Sequence, residues 1–161
     1  MKTTQVFQFL AVLLVSGLLL GAEGGGAEAT DVAKNPSLLL ASAKAGDLEV
    51  YGVKLGDTID KITASAGTNR HATDRPEDVH FTGPNVTYYS HQGRIYQIKV
   101  FGDITKALPP YGVARLQIKL GKADEVYQPE AGVTCLIYLK SRMQFTFAGT
   151  GSVAAVDLYE P

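Results

Sequence analysis

Residues 47–67 read DLEVYGVKLGDTIDKITASAG, and two kinds of local structure meet within them. Leu48 and Val50 are the apolar positions of an entering strand. Gly56 then permits a turn that a bulkier residue would resist. The stretch therefore predicts a strand that leads through a glycine turn into a short helix.

This helix is predicted to begin at Asp57 and to end at Gly67. The Asp57 carboxylate is placed to accept hydrogen bonds from the free N–H groups of the first helical turn, and Gly67 is a natural stop. The apolar stripe of the helix consists of Ile59, Ile62 and Ala66. These features account for the stretch as structure, without a binding role.

The whole chain has the size and composition of one domain, or of two small halves in tandem. It contains 161 residues, of which 45% are hydrophobic, and this is enough to build an ordinary core. Its formal net charge is −1, so the chain as a whole does not attract nucleic acid. We therefore expect no nucleic-acid partner.

Residues 1–29 have the pattern of a secretory signal peptide. An almost continuous apolar run over 7–20 precedes Ala27-Glu28-Ala29, a small-x-small cleavage site. A retained membrane anchor is the alternative, but the run is short for a span of about 20 residues. We expect a periplasmic or secreted protein with no membrane span after cleavage. Because no cysteine ends the leader, we also expect no lipid anchor.

After the leader, residues 30–46 are predicted to form a linker or short helix, and residues 47–161 a single domain. Ser37 is a candidate cap for a helix over 38–43. Within the domain, residues 68–80 are polar, contain a proline and lack periodicity, so a loop is predicted there. Three histidines lie in or beside this loop: His71, His80 and His91. They are an alternative zinc site, although their spacing matches no familiar ligand signature.

Alternating apolar residues predict a hairpin made of Val86–Ser90 and Arg94–Phe101. A two-residue turn at 92–93 would place Tyr88 opposite Gln97. A second helix is predicted after Pro109-Pro110, with Gly121 as its stop. Its shared apolar face consists of Val113, Leu116 and Leu120.

The end of the chain is predicted to be strands over 132–139, 143–148 and 153–159. A three-residue loop at 140–142 would place Ile137 opposite Phe145. The predicted core then combines Phe145, Phe147, Ile137 and Val156 of the sheet with Ile59 and Leu116 of the helices. The fold class is thus α+β, an antiparallel sheet with two helices packed on one face.

The other face of this sheet is predicted to be open and partly polar, and to carry Leu136 and Asp157 as well as candidate binding residues. Those candidates are Tyr88, Gln97, Lys99, Tyr138, Gln144 and Tyr159. Tyrosine offers contact area with a polar end, as protein interfaces favour. The competing explanation is that tyrosine simply suits strands.

Two stretches indicate an internal repeat. Tyr51-Gly52-Val53 recurs as Tyr111-Gly112-Val113, and each copy is followed by Leu-Gly and later by antiparallel strands. We predict two imperfect helix-then-meander units, 47–103 and 104–161, whose strands join one sheet. Chance similarity of short motifs is the alternative.

The motif GVKLGDT at 52–58, followed by a helix and strands, resembles the repeat unit of the SmpA/OmlA-like group, which includes the outer-membrane lipoprotein BamE. In tandem, the unit resembles the β-lactamase-inhibitor-protein fold, and LGKAD at 120–124 extends the likeness to the second half. The lipid-bearing cysteine of the lipoproteins is absent. The resemblance implies an α+β fold and binding to other proteins of the cell envelope, without catalysis.

A non-catalytic binding module is the function that these patterns favour, with an unidentified protein of the cell envelope or extracellular space as its partner and no cofactor. No serine lies in a G-x-S-x-G motif, and no P-loop, dinucleotide fingerprint or C-x-x-C pair occurs. The single cysteine, Cys135, lies in an apolar run and is predicted to be buried. The alternatives are a small metal-dependent or hydrolytic enzyme that uses the histidines over 71–91, and a structural envelope protein.

Overall fold

The computed structural model describes residues 31–62, 66–149 and 151–160. In chain order, its helices and strands are α1 (Leu39–Ala45), β1 (Glu49–Val50), β2 (Val53–Lys54), β3 (Asn69–Ala72), β4 (Asp78–Thr82), β5 (Val86–His91), β6 (Arg94–Phe101), α2 (Asp103–Lys106), α3 (Val113–Leu120), β7 (Glu125–Tyr127), β8 (Val133–Tyr138), β9 (Met143–Ala148) and β10 (Ser152–Tyr159). The predicted signal peptide lies outside the described residues. Within them, no helix is both long and apolar enough to span a membrane.

One antiparallel sheet of eight strands dominates the fold, beside the two-stranded hairpin of β1 and β2. Its strand order is β3-β4-β5-β6-β10-β9-β8-β7. Strands β3 to β6 form one meander, β7 to β10 form the other, and the last strand of each pairs with the other at the centre. The predicted antiparallel sheet is therefore confirmed, and each predicted repeat unit supplies four of its eight strands.

The core lies on one face of this sheet. Phe145, Phe147 and Val156 are buried, as predicted, and Leu116 of α3 belongs to the same apolar cluster. Burial of apolar side chains is the main free-energy source of such a fold. The 113–120 segment is helical as predicted, and Gly121 ends it with φ +98°.

The segment after Gly56 differs from its prediction. Gly56 makes the expected turn, with φ +79°. Beyond it, a single 3₁₀ turn spans Ile59–Lys61, with Thr58 at its N-cap and no capping side chain. The Asp57 carboxylate instead accepts hydrogen bonds from the Lys54 N–H (2.9 Å) and the Lys61 ammonium (2.7 Å). The N-cap assignment of Asp57 was wrong because its two oxygens accept hydrogen bonds from the Lys54 N–H and the Lys61 side chain instead. Residues 63–65 lie outside the described structure.

Two other local predictions need correction. Residues 68–80 are not a loop: β3 and β4 lie there and pair antiparallel, with His71 opposite His80. Strand β3 shows no alternation of apolar and polar residues, because it is an edge strand whose residues are all exposed. Edge strands tolerate polar side chains on both faces. Helix α1 is found where a short helix was predicted, but Leu38 rather than Ser37 is its N-cap.

Candidate functional site

Tyr88, a predicted open-face residue, lies in the core. The turn pairs Ser90 with Ile95 as expected, but a β-bulge follows, so that Tyr88 pairs with Ile98 instead of Gln97. This extra residue moves Tyr88 to the core face, where it is 0% exposed. Its hydroxyl donates a hydrogen bond to the Val50 carbonyl oxygen at 2.7 Å. The placement of Tyr88 on the open face of the sheet was therefore wrong.

Tyr138 is also a core residue. Tyr138, rather than Leu139, pairs with Met143. The loop between β8 and β9 is therefore four residues long, one more than predicted. A shift of one residue exchanges the two faces of a strand. Tyr138 is accordingly 6% exposed, packs edge-on against Phe145 and donates to the Gly121 carbonyl oxygen at 3.1 Å. Ile137 moves the other way, to a half-buried position opposite Gln144.

The other four predicted residues surround one carboxylate. Asp157 of β10 pairs with Lys99 of β6 on one side and with Gln144 of β9 on the other. Tyr159, two residues further along β10, pairs with Gln97. Directly paired residues share a face of the sheet. The central strands therefore bring these side chains together on the face opposite the core, which we call the open face.

Asp157 is the most unusual residue of the open face, because it is only 2% exposed. Gln97 Nε2 donates a hydrogen bond to its Oδ1 at 2.9 Å. Burial raises the pKa of Asp157, while the Lys99 charge and the Gln97 hydrogen bond counteract part of that rise. The sequence placed Asp157 on this face but contained no signal that its neighbours would bury it.

Tyrosines line the open face around Asp157. Tyr159 is half-buried, and its pKa is raised by burial and by the nearby Asp157 charge. Tyr127 of β7 is 43% exposed, and its hydroxyl lies 3.4 Å from Gln144 Oε1. Tyr89 of β5 packs edge-on against His80, with ring centroids 4.4 Å apart. Tyr127 was not predicted as a site residue, because a strand of only three residues has too short a pattern to detect.

Cys135 is buried, as predicted, but its neighbours are polar. Its sulfur lies 3.7 Å from Gln144 Nε2 and 3.8 Å from Thr146 Oγ1. Since Thr146 is its direct partner on β9, Cys135 lies on the open-face side of the sheet rather than in the main core.

The three histidines lie along strands β3, β4 and β5. His71 and His80 are direct partners, whereas His91 pairs with Asp78, whose Oδ1 lies 2.7 Å from the His91 Nδ1. Among the described residues, no group of three or more histidine, cysteine, aspartate or glutamate side chains is arranged to hold a metal ion. The metal alternative therefore gains no support from this geometry.

Comparison with known proteins indicates the fold alone. No protein-family model matches the chain, and neither does any curated protein. The chain is structurally similar to YjgB, a DUF4309 family protein from Bacillus subtilis subsp. subtilis str. 168, with a TM-score of 0.56 and 20% identity. The match covers 82% of this chain and 99% of the other. The resemblance to SmpA/OmlA-like and β-lactamase-inhibitor proteins stays a prediction.

Replacing Asp157 by asparagine is expected to stabilise the protein at neutral pH. The folded-state pKa of Asp157 is raised, so the folded protein keeps this proton to a higher pH than the unfolded chain does. As the pH rises from the pKa of Asp157 in the unfolded chain through its pKa in the folded protein, the free energy of unfolding should therefore fall. Above the folded-state pKa it should stay low. Asparagine retains the acceptor for Gln97 without the charge, so we expect a gain on the order of 1 kcal/mol above that window.

Urea unfolding at several pH values between about 4 and 8 measures this effect. The matched control is Asp103→Asn, because Asp103 is exposed and forms its ion pair with the exposed Lys106. That variant should change the unfolding free energy by about 0.5 kcal/mol or less. If Asp157→Asn and the unmodified protein were equally stable at every pH, Asp157 would not be a buried carboxylate that is charged at neutral pH.

Proposed function

We propose that this protein is an exported, non-catalytic binding module that binds another protein through its open face. The observation that carries this proposal is the cluster of tyrosine and amide side chains around the buried Asp157. Export rests on the signal-peptide pattern of residues 1–29. The partner would be a protein of the cell envelope or the extracellular space.

The composition of the open face supports a protein partner. Half-buried tyrosines provide large contact area at a small entropic cost and carry a hydroxyl for hydrogen bonding. Gln97, Gln144 and Lys99 place amide and ammonium groups between the rings. This mixture of aromatic and polar groups is typical of protein interfaces. We further propose that two helices, α1 and α3, pack on the core face, which leaves the open face available to a partner.

Site-specific photocrosslinking at two neighbouring residues tests the proposal. Tyr127 and Val126 are adjacent on β7, and successive residues of a strand point to opposite faces. Both side chains are well exposed, at 43% and 56%, so neither replacement disturbs the core. We expect p-benzoylphenylalanine replacing Tyr127 to form a specific adduct with an envelope protein in cells that export this chain. The same group replacing Val126 should not form that adduct.

A second variant ties the adduct to the chemistry of the face. Gln144→Ala, made in the chain that carries the crosslinker at 127, should reduce the adduct several-fold while leaving thermal unfolding unchanged. If position 127 forms no adduct, or position 126 forms the same one, the open face is not the binding surface.

A further inference from the structure

A second candidate site lies away from the open face, where α1 approaches α3 and the connections that flank α3. Two neighbouring depressions share Lys44 of α1 and Leu120 of α3. Their volumes, about 560 Å³ and about 480 Å³, lie within the range of small-molecule sites. We call the first the apolar half and the second the basic half of a single groove.

The apolar half is lined mainly by carbon, and Ser37, Lys44 and Lys119 also border it. Leu40 and Ala41 of α1 form one wall, and Ala107, Leu108 and Tyr111 form the other. Ala41 and Ala107 are both exposed on these walls. Such a lining favours an aliphatic chain, because it removes hydrocarbon from water without leaving polar groups unpaired.

The basic half presents a concentration of positive charge. It is lined by Lys44, Lys122, Lys140 and Arg142, with Asp124 as its one acidic side chain. The Asp124 carboxylate accepts a hydrogen bond from the Leu139 N–H at 2.8 Å. Within the part of the chain that the structure describes, the four cations make no ion pair with an acidic side chain. Their charge is therefore free to bind an anion.

We propose that the groove binds a free single-chain amphiphile with a phosphate head group. The acyl chain lies in the apolar half, and the phosphate contacts Lys122, Lys140 and Arg142 in the basic half. Lysine and arginine are the usual protein ligands of phosphate. The charge of the basic half selects the anionic head, and the adjoining carbon surface selects the tail. This site is independent of the proposed function of the open face.

Calorimetry with dodecyl phosphate, below its micellar concentration, tests the proposal. We expect one molecule bound per chain. Lys122→Ala with Lys140→Ala should weaken binding by about tenfold or more, because two charge-assisted contacts are lost. The matched control is Arg70→Ala with Arg75→Ala, which removes the same charge from the β3–β4 hairpin at the far edge of the sheet and should leave binding unchanged.

Further measurements separate the tail from the head. Ala41→Trp or Ala107→Trp should fill the apolar half and abolish binding. Either variant is sufficient for this test, so the experiment still works if one of the two does not fold. Dodecyl maltoside has the same tail with a neutral head, and it should bind at least tenfold more weakly. Inorganic phosphate should bind more weakly still.

Three results would overturn the assignment. The first is equal binding of the maltoside and the phosphate, which would remove the role of the basic half. The second is binding of inorganic phosphate as tight as that of dodecyl phosphate, which would leave an anion site without a tail site. The third is lysine-dependent binding to anionic phospholipid vesicles without binding of monomeric dodecyl phosphate, which would indicate a membrane surface as the occupant.

Discussion

Leu136→Ala is expected to lower the free energy of unfolding by about 2–5 kcal/mol, the usual cost of deleting a buried leucine side chain. Leu136 is 0% exposed and pairs with Phe145 in the centre of the core face. Its removal leaves a cavity that neighbouring side chains of a packed sheet fill only partly. Urea unfolding followed by circular dichroism gives the difference directly.

The matched control is the next residue, Ile137→Ala. Ile137 is half-buried and pairs with Gln144 on the open face, so we expect a loss of only about 1 kcal/mol. The two alternative registers of β8 predict opposite results for this pair of variants. If Ile137→Ala destabilises the protein more than Leu136→Ala does, the four-residue connection between β8 and β9 is incorrect.

Tyr88→Phe is expected to lower the free energy of unfolding by about 1–3 kcal/mol, although only one oxygen atom is removed. The Tyr88 hydroxyl is buried and donates to the Val50 carbonyl oxygen at 2.7 Å. Phenylalanine would leave that carbonyl without this partner, in a region where water cannot replace it. The same hydrogen bond joins the β1–β2 hairpin to the large sheet, so the variant should also speed amide exchange within that hairpin.

Tyr89→Phe is the control for this variant. Tyr89 follows Tyr88 on β5, points to the open face and is half-buried. Its replacement should change the unfolding free energy by less than about 0.5 kcal/mol. Equal losses for the two variants would show that the hydroxyl of Tyr88 has no special role in the core.

Asp157 lowers the stability of the protein at neutral pH and lies at the centre of the proposed binding face. Burial raises the pKa of the Asp157 carboxyl, so its charged form costs free energy at neutral pH. An asparagine would accept the Gln97 hydrogen bond without this cost. Proteins often retain such destabilising groups where they serve binding. The retained Asp157 charge supports the proposal that the open face is the binding surface, and the crosslinking experiment tests that proposal independently of stability.

Local patterns were sufficient for the elements whose signals lie within a few residues of one another. The β5–β6 hairpin, helix α3 and its glycine stop, and the turn at Gly56 were all predicted close to where the structure has them. In these cases periodicity and glycine conformation restrict the backbone without reference to the rest of the chain.

Only the tertiary structure revealed which face each β8 residue occupies, where the bulge in β6 lies, and that residues 69–82 form a hairpin. A three-residue and a four-residue loop have nearly the same local sequence, yet one residue of difference exchanges the two faces of a strand. The four-residue loop places Tyr138 in the core, and the one-residue bulge in β6 does the same for Tyr88. Gln97, Lys99, Gln144 and Tyr159 then surround Asp157. That cluster depends on pairing between strands distant in sequence, and the composition of a single strand carries no information about it.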